Sequence, residues 1–252
     1  METVKNVKKA ATSPAGQFQA GHSPLIQHQP LPGVESKMKP RPRAIATLYA
    51  MEGADVAIAY PPAEESDAQY GRECHIFPCD VSVPENCRRL VEERVRAMGG
   101  LDVAECKGTM GQNLQNKYIP SLFYLSKYAR PHMRPGSCII NNASVNHCVG
   151  EGNLLDYSTT KGAIVAFARS LAMQLLLKGV RVNCVAPGPI WTPLVVSSMT
   201  DEELDSFGGT TPLSRAGQPS EVATCFVSLA SADSSFIAGQ TLHPNGGVIV
   251  NG

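Results

Sequence analysis

Short apolar runs alternate with amphipathic segments along most of this chain. The runs at 55–60, 75–81, 101–104, 137–142, 180–186 and 240–243 have the length and spacing of strands. Apolar positions three and four residues apart predict helices at 44–51, 84–98, 122–133, 155–177 and 221–230. Because strands that alternate with helices build βαβ units, the pattern predicts an α/β fold with a doubly wound parallel sheet.

Two regions of different texture divide the chain. Residues 1–42 are rich in proline, glutamine and serine and have no hydrophobic period, which predicts a disordered arm. The alternating pattern starts at Arg43 and continues to the end, so 43–252 is predicted to form a single domain. A chain of 252 residues is long enough for one domain with a substantial core.

Composition argues against several classes of function. The 22 Lys and Arg residues balance the 22 Asp and Glu residues, which speaks against a nucleic-acid partner held by a basic surface. No continuous apolar run approaches the roughly 18 residues of a membrane span. The lysines near the start are not followed by the apolar stretch of a secretory signal. We therefore expect a cytoplasmic protein without a membrane partner, and a transit peptide is left open.

Cysteine and histidine spacing gives no metal motif. The 8 cysteines contain no CxxC pair, and without a secretory signal they are expected to be reduced thiols. The 6 histidines form no cluster with the spacing of zinc ligands. We therefore predict no metal site.

Ser144, Tyr157 and Lys161 are the candidate catalytic residues. Tyr157 and Lys161 lie four residues apart in a predicted helix, so they share one helix face. A phenol is a poor base at neutral pH, but a nearby ammonium lowers its pKa and makes proton exchange with a substrate oxygen feasible. Ser144 follows a predicted strand, where its hydroxyl could hold the same oxygen. By itself the Tyr–Lys spacing is more typical of an ordinary exposed pair on a helix than of a catalytic pair.

The surrounding sequence makes the assignment more specific. "NNASV" ends a strand, "YSTTKGA" opens a long helix, and "VRVNCVAPGPIWTP" and a late "PNGG" follow. Over 43–252 the chain resembles the short-chain dehydrogenase/reductase family, and within it most of all the plant glucose and ribitol dehydrogenase homologues. The resemblance implies a Rossmann-like fold. It also implies an NAD(P)-dependent oxidoreductase that acts on an alcohol or carbonyl group of a sugar or polyol.

Further roles come from the resemblance alone. Tyr157 would be the acid/base, Lys161 would lower its pKa and bind the nicotinamide ribose, and Ser144 would position the reacting oxygen. Residues that would line the nicotinamide and phosphates are Pro187, Gly188, Ile190 and Thr192, and Asp80 would contact the adenine. The strand end at 59–60 lacks the acidic residue that holds an adenosine ribose, which indicates either NADP or no strong preference between NADP and NAD. The helix at 155–177 would pack across a subunit interface in a homo-oligomer.

Trp191 has two interpretations. A lone tryptophan is most often a packing residue. Its place inside "PGPIWTP" makes it a candidate for lining the active site as well.

Two departures from the family pattern are visible. The family opens with a strand and a T-G-x-x-x-G-x-G turn, whereas here Gly33 is the only glycine between Gly21 and Gly53. The sequence therefore predicts a sheet that lacks its first strand, which would lie between 55–60 and 101–104. After Val103 the NNAG segment is also missing.

The second departure affects a further catalytic position. The register of the following helix puts Tyr118 at the place of the family's catalytic asparagine, and Pro120 opposes a regular helix there. One alternative is thus a non-catalytic remnant that cannot bind dinucleotide and acts, if at all, through association with intact relatives. A faulty gene model is a third interpretation.

Overall fold

A computed structural model describes residues 26–28, 45–52, 54, 56–60, 74–106 and 114–250. Nearly all of the predicted arm at 1–42 lies outside the described residues, as does most of the stretch in which the family carries its glycine turn. Within the arm, the described residue His28 contacts the carboxylate of Asp201.

The strands form parallel ladders, as the alternating pattern predicts. Strand β1 (Val56–Tyr60) pairs with β2 (Cys74–Pro78). The strands β3 (Val103–Cys106), β4 (Cys138–Asn142), β5 (Arg181–Val185) and β6 (Thr241–Leu242) form a second parallel sheet in that order. Within the described part of the chain, no hydrogen-bonded ladder joins β1 to β3. The absence of the first strand stays a prediction, because residues 29–44 and 61–73 lie outside the described part of the chain.

Helices connect the strands and cover the larger sheet on both faces. They are α1 (Ile45–Met51), α2 (Pro84–Met98), α3 (Leu114–Ala129), α4 (Asn146–Val149), α5 (Leu155–Leu175), α6 (Pro193–Ser198), α7 (Asp201–Ser206) and α8 (Pro219–Ala230). Helix α2 begins with proline at its first turn and ends at Gly99 with φ 73°, a left-handed conformation that favours glycine.

Alternate residues of β4 contact opposite layers of the core. Ile139 packs in a cluster with Ile164 and Val165 of α5, whereas Ile140 packs in a second cluster with Phe226 of α8. Tyr49 of α1 packs against that second cluster. Since successive side chains of a strand point to opposite faces, this alternation gives the helix–sheet–helix layering of a doubly wound α/β domain.

Two expectations need correction. Helix α3 continues through Pro120, although the proline was expected to prevent a regular helix. A proline ring removes one backbone donor, and the remaining turns of α3 keep theirs, so the helix tolerates the loss. The segment Gly152–Lys178 is also apolar enough and long enough to cross a membrane by composition, despite its scattered charges. Its buried residues pack on β5 and α3, as in the core helix of a globular domain.

Candidate active site

Loops that follow β4, β5 and β6 meet at one edge of the larger sheet. The strands are parallel, so their carboxyl ends lie on the same side. Ser144 follows β4, Pro187 follows β5 and His243 follows β6. In open α/β sheets this edge is where ligands bind.

Backbone hydrogen bonds fix the position of Ser144. Ala143 N donates to Val185 O over 2.7 Å, and Val145 N donates to Pro187 O over 2.9 Å. These bonds extend the β4–β5 ladder on both sides of the serine. Ser144 itself is 8% exposed. The strand end therefore presents the Ser144 hydroxyl from a rigid support.

Helix α5 brings Tyr157 and Lys161 to this serine. The Tyr157 side chain lies close enough to Ser144 for the serine to lower the pKa of the phenol. Lys161 Nζ donates to Asn142 O over 3.0 Å and lies 5.4 Å from the centroid of the Tyr157 ring. The structure thus brings together all three residues that the sequence singles out as catalytic, around one buried ammonium.

The pKa of Tyr157 is raised rather than lowered. Burial raises this pKa, and the nearby Ser144 side chain lowers it by less. The net direction is therefore upward, and the role of Lys161 in lowering the pKa of the phenol stays a prediction. The physical reason for the upward direction is that most of the tyrosine is removed from water, which disfavours the phenolate.

The loop from Pro187 to Thr192 lies beside this edge. Gly188 N donates to Pro244 O over 3.1 Å, and a Cβ at Gly188 would lie 2.8 Å from Asn245 Cα. Only glycine permits this approach of two backbones. The predicted cofactor residue Ile190 forms a parallel bridge with Gly217, which ties the loop to the segment before α8.

Two residues of this loop have clear local roles. Thr192 is the residue before α6, with φ −132° and ψ 161°. Trp191 is fully buried in a cluster with Val195, Val196 and Leu204. Of its two interpretations, the structure therefore supports packing.

Asp80 lies apart from the other predicted residues. It follows β2, at the carboxyl end of the two-stranded sheet. Its carboxylate accepts from Ser82 N over 2.9 Å, and its carbonyl accepts from Asn86 Nδ2 over 3.0 Å. These bonds shape the turn into α2. Its predicted contact with adenine stays a prediction.

A cluster that the sequence analysis missed lies next to Ser144. One ligand atom each from His147, Cys148 and His243 lies within 4.8 Å of the others. The prediction of no metal site rests on linear spacing, which does not reveal this cluster. His243 comes 95 positions after Cys148, so linear spacing could not find the group. Only the order of the strands in the sheet could have predicted the cluster. His147 and Cys148 follow β4, His243 follows β6, and both strands end at the same sheet edge.

The residues at this edge fit the nicotinamide end of a dinucleotide. A ribose carries hydroxyls that both donate and accept, and the Lys161 ammonium and the Tyr157 hydroxyl can serve them. Ser144 adds a second hydroxyl at the same place. Residues 29–44, which precede α1, lie outside the described part of the chain.

Comparison with known proteins agrees with this geometry. A family model described as enoyl-(acyl carrier protein) reductase matches residues 42–249. Glucose and ribitol dehydrogenase of Daucus carota is 41% identical over 237 residues, which cover 83% of this chain and 81% of that protein. NADPH-dependent aldehyde reductase 1, chloroplastic, of Arabidopsis thaliana is 44% identical over 237 residues, covering 83% and 82%.

A solved structure shares the arrangement of helices and strands. It is a short-chain dehydrogenase/reductase, glucose/ribitol dehydrogenase, from Brucella melitensis. Its TM-score is 0.75 at 29% sequence identity, and the match covers 82% of this chain and 91% of that one. The predicted Rossmann-like α/β fold is confirmed.

Proposed function

The chain belongs to the short-chain dehydrogenase/reductase family, and we propose that it is an NAD(P)-dependent oxidoreductase that interconverts a carbonyl group and an alcohol. The observation that carries the proposal is the placement of Tyr157 beside Ser144, with the buried Lys161 ammonium over the Tyr157 ring. This arrangement offers one proton and two hydroxyls to a single substrate oxygen.

Each side chain has a defined task in the proposed mechanism. In reduction, Ser144 donates a hydrogen bond to the carbonyl oxygen, and Tyr157 Oη transfers its proton to that oxygen. In oxidation the same oxygen returns the proton to the Tyr157 phenolate. The ammonium of Lys161 stabilises the phenolate electrostatically. The nicotinamide supplies or accepts the hydride when it is bound.

The substrate and the cofactor can be proposed more narrowly. Two related proteins are described as acting on glucose and ribitol or on aldehydes, which supports a small sugar, polyol or aldehyde. The Arabidopsis thaliana relative is described as NADPH-dependent, and the strand end at 59–60 has no acidic residue. Both observations support NADP(H) over NAD(H).

The cell compartment is part of the proposal. A cytoplasmic location agrees with the sequence, and the chloroplastic relative makes the plastid the second candidate. The non-catalytic alternative is not favoured, because the Ser144–Tyr157–Lys161 arrangement is intact.

The decisive experiment replaces the tyrosine. NADPH oxidation with a short aldehyde or sugar is expected to fall by about 10²–10⁴-fold in Tyr157→Phe, because the proton donor is lost. Tyr128→Phe removes a hydroxyl from α3, away from this edge, and is expected to keep full activity. A separate fluorescence titration measures NADPH binding. Activity in the Tyr157→Phe variant would reject the mechanism, and absent NADPH binding by the unaltered chain would favour the non-catalytic remnant.

A further inference from the structure

We propose that His147, Cys148 and His243 form a binding site for a divalent transition-metal ion of the zinc class, beside Ser144. The three ligand atoms lie within 4.8 Å of one another. Two imidazoles and a thiolate are the ligand set that zinc prefers over magnesium or calcium.

The spacing of the first two ligands already suits a metal ion. His147 Nε2 lies 3.1 Å from Cys148 Sγ. In a tetrahedral zinc site, bonds of about 2.0 Å to nitrogen and 2.3 Å to sulfur put these atoms about 3.5 Å apart. Only a small separation of the two side chains is needed to admit an ion between them.

The orientation of His147 is fixed by a hydrogen bond of its other nitrogen. His147 Nδ1 lies 2.6 Å from the carbonyl oxygen of Ser144. A carbonyl only accepts, so Nδ1 carries the proton and Nε2 keeps its lone pair, directed at Cys148 Sγ. Metal-ligating histidines typically donate the second ring N–H to a carbonyl or carboxylate in this way.

His243 supplies the third ligand. Its Nε2 is buried and has no hydrogen-bond partner among the described residues. The ring stacks on that of His147, with centroids 5.4 Å apart and planes inclined by 13°. Near-parallel rings cannot both direct a lone pair at one ion, so binding requires one imidazole to rotate. An ion would then provide the partner that the buried nitrogen lacks.

The backbone holds the three ligands on two neighbouring supports. His147 and Cys148 lie on the single turn of α4, whose amides bond back to Ser144 and Val145. His243 follows β6 directly. Three protein ligands leave one tetrahedral position open, and Cys148 is exposed, so an ion can enter from solvent. This is the pattern of an exchangeable site rather than a closed structural one.

Metal titration of the full-length chain tests the proposal. After removal of metal with a chelator, Zn²⁺ competition against a chromophoric indicator is expected to give one ion per chain. Co²⁺ is expected to give a near-ultraviolet thiolate charge-transfer band. Cys148→Ser is expected to remove that band and to weaken Zn²⁺ binding at least about 100-fold, and His147→Gln and His243→Gln are expected to weaken it at least about 10-fold.

Matched controls separate this site from other thiols and imidazoles. Cys225→Ser changes a half-buried thiol on α8, and His132→Gln changes an exposed imidazole after α3. Both are expected to leave the stoichiometry and the cobalt band unchanged. Because the Cys148 side chain is exposed, Cys148→Ser tests the site even where a His243 variant fails to fold. An unchanged Zn²⁺ affinity in Cys148→Ser, or a band that Cys225→Ser removes, would overturn the proposal.

Discussion

The burial of Tyr157 determines the pH dependence that we expect for the proposed reaction. Burial raises the pKa of this phenol above its ordinary value. The neutral form that donates a proton therefore persists above pH 9, and the phenolate that accepts one stays scarce. We expect the rate of carbonyl reduction to be flat from pH 6 to 9, whereas alcohol oxidation rises by roughly tenfold per pH unit over that range.

The measurement is a pair of kcat/KM profiles, one in each direction, with NADP(H). A reduction profile that falls between pH 7 and 8 would contradict the raised pKa. It would mean that Lys161 lowers the pKa of Tyr157 when the cofactor is bound. That is the effect that the sequence predicts for Lys161.

Glu221 and Arg215 form an ion pair next to the 187–192 loop. Arg215 is 8% exposed, and its guanidinium donates to both carboxylate oxygens of Glu221 over 2.7 and 2.8 Å. Removing the charge in Glu221→Gln leaves a buried guanidinium without its counter-ion. Because the Glu221 side chain is itself 36% exposed, we expect a loss of about 2 kcal/mol in the free energy of unfolding. Glu202→Gln, on the exposed side of α7, is expected to change it by less than about 0.5 kcal/mol.

The same pair predicts an acid-side loss of stability. Burial alone raises the pKa of Glu221, but the hydrogen bonds from Arg215 and from the Gln218 backbone outweigh it, so the pKa lies below its ordinary value. The stabilisation is therefore complete above the unfolded-state pKa and is lost as the pH falls through the lower folded-state value. Urea unfolding between pH 7 and 3 measures this, and equal pH dependence in Glu221→Gln would contradict it.

At the scale of single residues, the sequence predicts the candidate catalytic residues but neither the pKa of Tyr157 nor the histidine–cysteine cluster. Ser144, Tyr157 and Lys161 could be found because helix periodicity and a strand end place them, and because the surrounding sequence resembles a known family. The raised pKa of Tyr157 could not, since it depends on the burial that packing imposes. His147, Cys148 and His243 meet only because β4 and β6 end at the same edge, which no local pattern encodes.

Helix α5 has an apolar surface that the fold leaves uncovered. Its exposed apolar residues, with those of the turn that follows, are Leu155, Met173, Leu176 and Leu177. We propose that a second copy of the chain covers this surface. We expect light scattering to give an oligomer for the unaltered chain and a smaller species for Met173→Glu, because a buried unpaired carboxylate opposes association. Met51→Glu, on the equally exposed Met51 of α1, is expected to change nothing. A monomeric unaltered chain at tens of micromolar would contradict the proposal.

Element boundaries follow the sequence closely where signals are strong. Helix α2 was predicted at 84–98 and is observed at Pro84–Met98, because proline marks its start and glycine its end. Helix α3 starts earlier than the predicted 122, at Leu114. The sequence at 114–121 has no clear helical period, and Pro120 argues against a helix. Tertiary packing of α3 on α2 and α5 outweighs the local preference there.

Among the described residues of the whole molecule, the strands form two separate sheets, β1–β2 and β3 to β6. The alternating pattern predicts the parallel α/β layering, but it does not predict which strands become neighbours. Strands β3 to β6 are joined in one ladder, and β5 has all five residues buried between β4 and β6. Strand β1 has a described partner on one side only, β2. We therefore expect the β1–β2 sheet to open more readily than the sheet of β3 to β6.

Hydrogen exchange measures this difference. An isolated two-stranded ladder is marginal, and β1–β2 is attached to the remaining fold mainly through α1 on α8 and α2 on α3. Amides of Val56–Tyr60 are expected to exchange at least about 100-fold faster than those of Arg181–Val185 after correction for intrinsic rates, because local opening costs less there. Equal protection of the two strands would contradict this and would mean that residues outside the described part of the chain close the gap beside β1. Uniformly fast exchange would instead mean that β3 to β6 do not form a stable core by themselves.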